Sequence, residues 1–294
     1  MLSRVQTNSE TAEVGYANDI TSDPLAQFAV VYAALVHDAD HPGVSNDQLV
    51  KENARIAQVY NNKSPAENHS LSLAWGLLMK PEFEDLVKCV CPTRFNLDRL
   101  EKMVMAAVLA TDVFDKELKE GRNARWEQVF SESSANQNFK SPAEFNHVKA
   151  LIVLEYLIQA SDVVHTMQHW HVYIKWNEKL FHEMYAAYQS GRTSSSRAPL
   201  KESNPDSNNV KEKGKDDPSI SWYRGELNFF DFYIIPLAKR LGECNVFGLS
   251  CDEFLNYAQA NRDEWESKGR DIIAGYIKKQ QSMDDSLRSS SHRG

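Results

Sequence analysis

The stretch that most constrains this chain is Ala33-Ala34-Leu35-Val36-His37-Asp38-Ala39-Asp40-His41-Pro42-Gly43. An apolar run, Phe28 to Val36, is long enough for a buried helix and then stops at two histidines and two aspartates within five positions. Imidazole and carboxylate beside a core cost free energy unless they are paired, and neutral His with ionised Asp is a ligand set that Zn, Mn or Fe accepts. His37-Asp38 therefore reads as a metal-binding pair at a helix end, closed by the Pro42-Gly43 turn signal. The competing reading is a capped helix whose polar end meets solvent.

The rest of the chain offers further carboxylates at helical spacing. Asp23 is a suitable N-cap with Pro24 at N1, and Leu25, Phe28, Ala29, Tyr32 and Val36 keep a 3.6-residue period. A second helix is expected from Asn46 or Asp47 through Leu49, Val50, Asn53, Ile56, Ala57 and Tyr60 to the Asn61-Asn62 turn, and a third opens at Pro65 and ends at Lys80-Pro81. From Asn96 to Glu120 the periodicity predicts one helix, stopped by Gly121, with Asp112 prolonging the apolar stripe of Leu100, Val104 and Val108. After Pro142, Leu151, Leu154, Ile158 and Asp162 share one face, so a carboxylate stands where an aliphatic residue would be expected. A pocket shared by His37, Asp38, Asp112 and Asp162 accounts for these placements, provided the helices converge.

Residues 1–20 are polar and irregular, and 191–218 are rich in Ser, Asn and Lys, a mobile loop interrupting one domain over 21–276. Phe229 to Leu237 predicts an apolar helix, Phe254, Tyr257 and Trp265 another, and 277–294 a disordered tail. Strand-type alternation does not persist, so the fold class is all-α. A net charge of −8 without a basic stripe argues against nucleic acid as a partner. No apolar run reaches membrane length and no signal-peptide core follows Met1, which reads as cytoplasmic, with the four cysteines as free thiols.

The run His37 to Asn46, with Tyr60-Asn61, Glu67-Asn68-His69, Ala110-Thr111-Asp112, Ala160-Ser161-Asp162 and Phe229-Phe230-Asp231 through Pro236-Leu237, resembles the catalytic domain of class I 3′,5′-cyclic nucleotide phosphodiesterases. That resemblance implies a compact multi-helix domain of the HD type with a two-metal pocket. It implies that His37 and Asp162 hold the tighter metal, usually zinc, and that Asp38 bridges it to a second, usually magnesium, with manganese an alternative. Glu67 and Asp112 would act through metal-bound waters, His41 would orient the cluster, and Phe229 would stack on the purine.

The sequence departs from the family pattern in three places. The family carries a metal-ligand histidine and a proton-donating histidine on a helix before the HD helix, and residues 1–36 contain none. The expectation drawn from this is an N-terminally truncated chain, whose upstream regulatory or membrane-tethered domains lie outside it. The purine-binding glutamine of the family aligns with Glu226, an acceptor that suits the N1–H and N2 amino group of guanine and so leans the expected substrate, cyclic GMP and/or cyclic AMP, toward cyclic GMP. The competing reading of Glu226 is a solvent-facing side chain or a salt bridge to Arg224. Ser70 stands where the family has a histidine, and His165 where it has a pocket asparagine; His165 would line the nucleotide pocket, whereas His169 reads as helix surface.

Hydrolysis of a cyclic nucleotide to its 5′-monophosphate is the leading function. The alternatives are a non-catalytic helical module that binds nucleotide or a protein partner, and another HD-type phosphohydrolase.

Overall fold

The computed structural model describes residues 23–131, 139–192, 217–244 and 251–291. Every regular element among them is helical. In chain order these are α1 (Pro24–Val36), α2 (Asn46–Lys51), α3 (Arg55–Val59), α4 (Pro65–Leu78), α5 (Glu84–Val90), α6 (Arg94–Leu109), α7 (Lys116–Phe130), α8 (Pro142–Asp162), α9 (Trp170–Gln189), α10 (Pro218–Phe229), α11 (Ile235–Glu243) and α12 (Cys251–Ser291). Short 3-10 turns occupy Pro81–Phe83 and Val164–Met167, and a π-helical segment, Phe230–Ile234, joins α10 to α11. The loop expected over 191–218 lies largely outside the described residues.

The chain divides into two units. The first combines residues up to Pro42 with Leu49–Val163 and Arg240–Cys251. Within it α1 packs chiefly on α6 and also on α8, and α8 is in turn contacted by α6 and α7. The buried stripe of α1 is Leu25, Ala26, Ala29, Val30 and Ala33, small enough for close helix approach, and α6 buries Leu100, Met103, Val104, Ala107 and Val108. Asp23 caps α1 as its sequence suggests, Oδ1 accepting from the N–H groups of Leu25 and Ala26 at 3.0 and 3.2 Å.

The second unit combines Gly43–Gln48, Val164–Lys239 and the chain from Asp252 onward. Its core is aromatic: Tyr173, Phe181, Phe230 and Trp265 are buried completely or nearly so. Tyr173 meets the edge of Phe230 at 5.2 Å and of Trp265 at 6.0 Å, and Phe181 meets Trp222 at 5.4 Å. Each such ring withdraws roughly 150–250 Å² from water, so a few of them dominate the stability of this unit.

Four helix boundaries differ from the expectation. The single helix foreseen between Asn46 and Tyr60 is two, because Asn53 takes a left-handed backbone (φ 51°) that asparagine tolerates. The helix foreseen over Asn96–Glu120 starts at Arg94 and ends at Leu109. There the buried Asp112 carboxylate accepts from the N–H groups of Phe114 and Asp115, and Asp115 then caps α7, which runs straight through Gly121. Phe229 closes α10 rather than opening the apolar helix. The π turn that follows widens the backbone just before Pro236, which has no N–H to donate. Finally, α12 continues beyond residue 276 to Ser291 in place of the expected tail, since neither Gly nor Pro interrupts 277–291. Lys279 and Gln280 also fasten it to α9, through Glu178 at 2.6 Å and His182 at 2.7 Å.

Candidate metal centre

His37 is the C-cap of α1 and Asp162 is the last residue of α8, so two helix C-termini meet here. Their partial negative charge adds to that of two carboxylates. The His37 ring is held by Nδ1, 3.0 Å from the Ala34 carbonyl, which obliges that nitrogen to carry its hydrogen and leaves Nε2 to face the acids. Nε2 lies 3.4 Å from Oδ2 of Asp38 and 3.5 Å from Oδ1 of Asp162. It is buried, yet among the described residues it makes no hydrogen bond of acceptable geometry. One donor atom from each of the three residues falls within 4.8 Å of the others.

Among the described residues no lysine or arginine pairs with Asp38 or Asp162. Among the described residues the charge that faces both carboxylates is a proton on His37, whose pKa the facing Asp162 carboxylate, aided by Asp38 and opposed by burial, raises to about 9. The slot is thus built for positive charge, and the donor set of imidazole nitrogen and carboxylate oxygens fits a borderline or hard divalent cation.

Neighbouring elements hold this turn in place. Asp40 takes a left-handed backbone (φ 58°) and its carboxylate meets His69 Nε2 at 2.9 Å, while the buried Ser70 hydroxyl donates to the Ala39 carbonyl at 2.8 Å. Both partners belong to α4, whose first turn carries Glu67, half-buried and three residues before Ser70. The Asp112 turn is anchored from α8: Gln159, one turn before Asp162, donates to the Ala110 carbonyl at 2.6 Å, and Arg122 reaches the same oxygen at 3.3 Å. His41 is exposed beyond the cluster. The three-donor group contains His37, Asp38 and Asp162 but not Glu67, Asp112 or His41.

Of the residues expected to bind nucleotide, Asp38 and Asp162 lie in the first unit and His165, Glu226 and Phe229 in the second. Glu226 is neither solvent-facing nor bridged to Arg224: it is buried on α10, where Tyr173 donates to Oε2 at 3.0 Å. Asn177 donates to that tyrosine oxygen at 3.3 Å and accepts from Trp222 Nε1 at 3.2 Å. Phe229 is half-buried and stacks on Tyr233 at 5.3 Å. His165 lies in the Val164–Met167 turn, its ring 6.2 Å from that of Trp176. His169 is exposed and satisfied by the Tyr257 hydroxyl at 2.9 Å. Sequence reasoning overlooked the Asp40–His69 pair, whose only local signal was an acidic residue two positions before the turn-forming Pro42-Gly43.

A helical body carrying an imidazole–carboxylate cluster at the meeting of two helix ends defines the class: a helical domain with a donor set that could hold a divalent cation. The sequence over residues 8–249 matches the model of the 3′5′-cyclic nucleotide phosphodiesterase family, and the chain belongs to that family. It is similar to the dual specificity calcium/calmodulin-dependent 3′,5′-cyclic nucleotide phosphodiesterase 1B of Bos taurus and of Homo sapiens, 27% identical over 157 residues in each case. That match takes in 53% of this chain and 26% of the relative, so the chain spans about a quarter of the length of the curated relatives it matches. The fold is similar to the crystal structure of the phosphodiesterase domain of the RhoPDE fusion protein from the choanoflagellate Salpingoeca rosetta, with a TM-score of 0.64, 22% identity, and coverage of 90% of this chain and 75% of that one. A second structure, of the phosphodiesterase domain of the rhodopsin phosphodiesterase of Salpingoeca rosetta, gives a TM-score of 0.63 at 21% identity, covering 91% and 74%. Among the described residues no helix is long and apolar enough to cross a membrane.

Proposed function

We propose that this chain serves metal-dependent hydrolysis of a 3′,5′-cyclic nucleotide to the 5′-monophosphate, with cyclic GMP favoured. The observation that carries the reading is the buried, unbonded Nε2 of His37 facing Asp38 and Asp162. Zinc with magnesium, or manganese, would supply charge neutralisation at the phosphoryl group and a water acidic enough to attack phosphorus. His37 and Asp162 would be the protein ligands of the first ion, and Asp38 would be shared with the second.

The remaining residues orient and recognise. Ala34 locks the His37 ring so that its lone pair points into the slot. Glu67 and Asp112 would act at one remove, and His41 would orient the turn. In the second unit Phe229 would stack on the base without selecting it, His165 would line the pocket, and Glu226, an acceptor, would meet the donor edge of guanine. Opening the ring breaks the bond from phosphorus to O3′, and that oxygen must receive a proton. The residues before His37 supply no histidine for that step.

A second reading is a nucleotide- or partner-binding module without turnover. Incubating the purified chain with Zn²⁺ plus Mg²⁺ or Mn²⁺ and following 5′-GMP and 5′-AMP release decides between them. Turnover that is lost in His37→Ala and Asp162→Ala is the expected result. Thermal stabilisation by metal and cyclic nucleotide without product would establish the module instead.

A further inference from the structure

One turn of α12 makes three separate sets of hydrogen bonds to the elements that carry the nucleotide-binding candidates. Asn261 is 2% exposed and its amide donates to the carbonyls of Thr166 and Gln168, at 2.9 and 2.7 Å, fixing the short turn that contains His165. Arg262, the next residue, forks onto Asp231, Nε to Oδ1 at 2.9 Å and Nη2 to Oδ2 at 3.4 Å, and is backed by Glu266. Asp231 lies in the π segment two residues after Phe229 and two before Tyr233, the ring on which Phe229 stacks. Trp265 is fully buried and donates through Nε1 to the Tyr223 carbonyl at 3.1 Å, while the Tyr223 hydroxyl returns a bond to the Glu266 carbonyl at 2.9 Å. Tyr223 is three residues from Glu226 on α10.

Core satisfaction alone would explain Asn261. It does not explain why Arg262, with 23% of its side chain exposed, spends a planar two-point fork on a π turn, a distortion that tends to accompany functional sites. Gly269 points the same way. A Cβ there would come within 2.8 Å of the Trp265 indole, so α12 retains a helix-weakening glycine that lets the indole lie where it reaches Tyr223.

We propose that the Asn261–Arg262–Trp265 turn is a positioning element for the nucleotide base, holding the His165 turn, the Phe229 stack and the Glu226 helix in register. The proposal rests on the nucleotide-binding reading above. These residues do not touch the ligand; they set where the residues that do touch it stand.

The test measures cyclic GMP and Mn²⁺ affinity by calorimetry on the whole chain, with wild type, Arg262→Gln and the charge-swapped pair Asp231→Arg with Arg262→Asp. Arg262→Gln is expected to weaken cyclic GMP binding roughly three- to tenfold, with Mn²⁺ affinity and Tm retained and the swap recovering part of the loss. Amide exchange at residues 229–234 should quicken in Arg262→Gln, and at 164–168 in Asn261→Ser. Equal cyclic GMP affinity in wild type and Arg262→Gln overturns this proposal alone. So does a loss shared equally by Mn²⁺, which would mark general damage. A wild-type chain that binds neither cyclic GMP nor cyclic AMP in the presence of Mn²⁺ overturns the parent reading and this one with it.

Discussion

In the proposed metal-binding role, His37 is the residue on which proton and metal would compete. With its pKa raised to about 9, chiefly by Asp162, the metal-free ring is charged at neutral pH, and each cation that enters must displace a proton. Mn²⁺ affinity is therefore expected to rise by about tenfold per pH unit up to roughly pH 9 and then level off, with about one proton released per ion in calorimetry. In the absence of metal the sign reverses: the raised pKa stabilises the fold fully below the ordinary imidazole value and is lost as pH rises through about 9. Lys149 behaves oppositely. Burial lowers its pKa to about 8, against a favourable contact over the Phe130 ring at 4.6 Å. Its burial penalty is complete below pH 8 and is relieved as pH climbs toward the ordinary lysine value. Lys149→Met should raise Tm at pH 7, and that gain should shrink between pH 8 and pH 10; a gain that does not change with pH would contradict this. The meeting of His37 with Asp162 was legible only conditionally: carboxylates on apolar helix stripes suggested a shared pocket, but periodicity does not show that the helices converge. The hydrogen-bonded role of Glu226 was not legible, because its donor, Tyr173, lies 53 residues away.

At the scale of elements, what escaped the sequence is where side chains compete with the helix for backbone N–H groups. Asp112 looks like a continuation of α6 by period, but its carboxylate ends that helix and shapes the turn before α7. Asp112→Ala should cost about 1–2 kcal/mol in urea unfolding, whereas Asp112→Asn, which keeps an acceptor, should cost much less. If Asp112→Asn nonetheless abolishes turnover, the carboxylate has a chemical role beyond the turn. Asn53 breaks a periodic stretch differently, through a left-handed backbone. Gly269→Ala reverses the usual propensity rule: alanine favours a helix, yet here the added methyl meets Trp265, so a loss of about 1–3 kcal/mol is expected. The cap at Asp23, by contrast, was readable because it stands beside a proline at the first helical position.

At the scale of the molecule, the units are not consecutive stretches of sequence. The first includes Arg240, which donates to Asn123 at 2.8 Å and also to the Tyr156 hydroxyl, with its guanidinium over the Trp126 ring at 5.1 Å. A fragment ending at Val163 would lack this clasp, and it is expected to unfold without a cooperative transition unless a second fragment carrying 164–294 is supplied in trans. Family membership leaves open how the parts are wired, and periodicity reveals only neighbours in sequence, so this arrangement had no signal in the composition or motifs. Because α11 begins in one unit and ends in the other, no single scission releases an intact half. Any engineered split, permutation or graft of this protein must keep together the separate sequence segments that make up each unit.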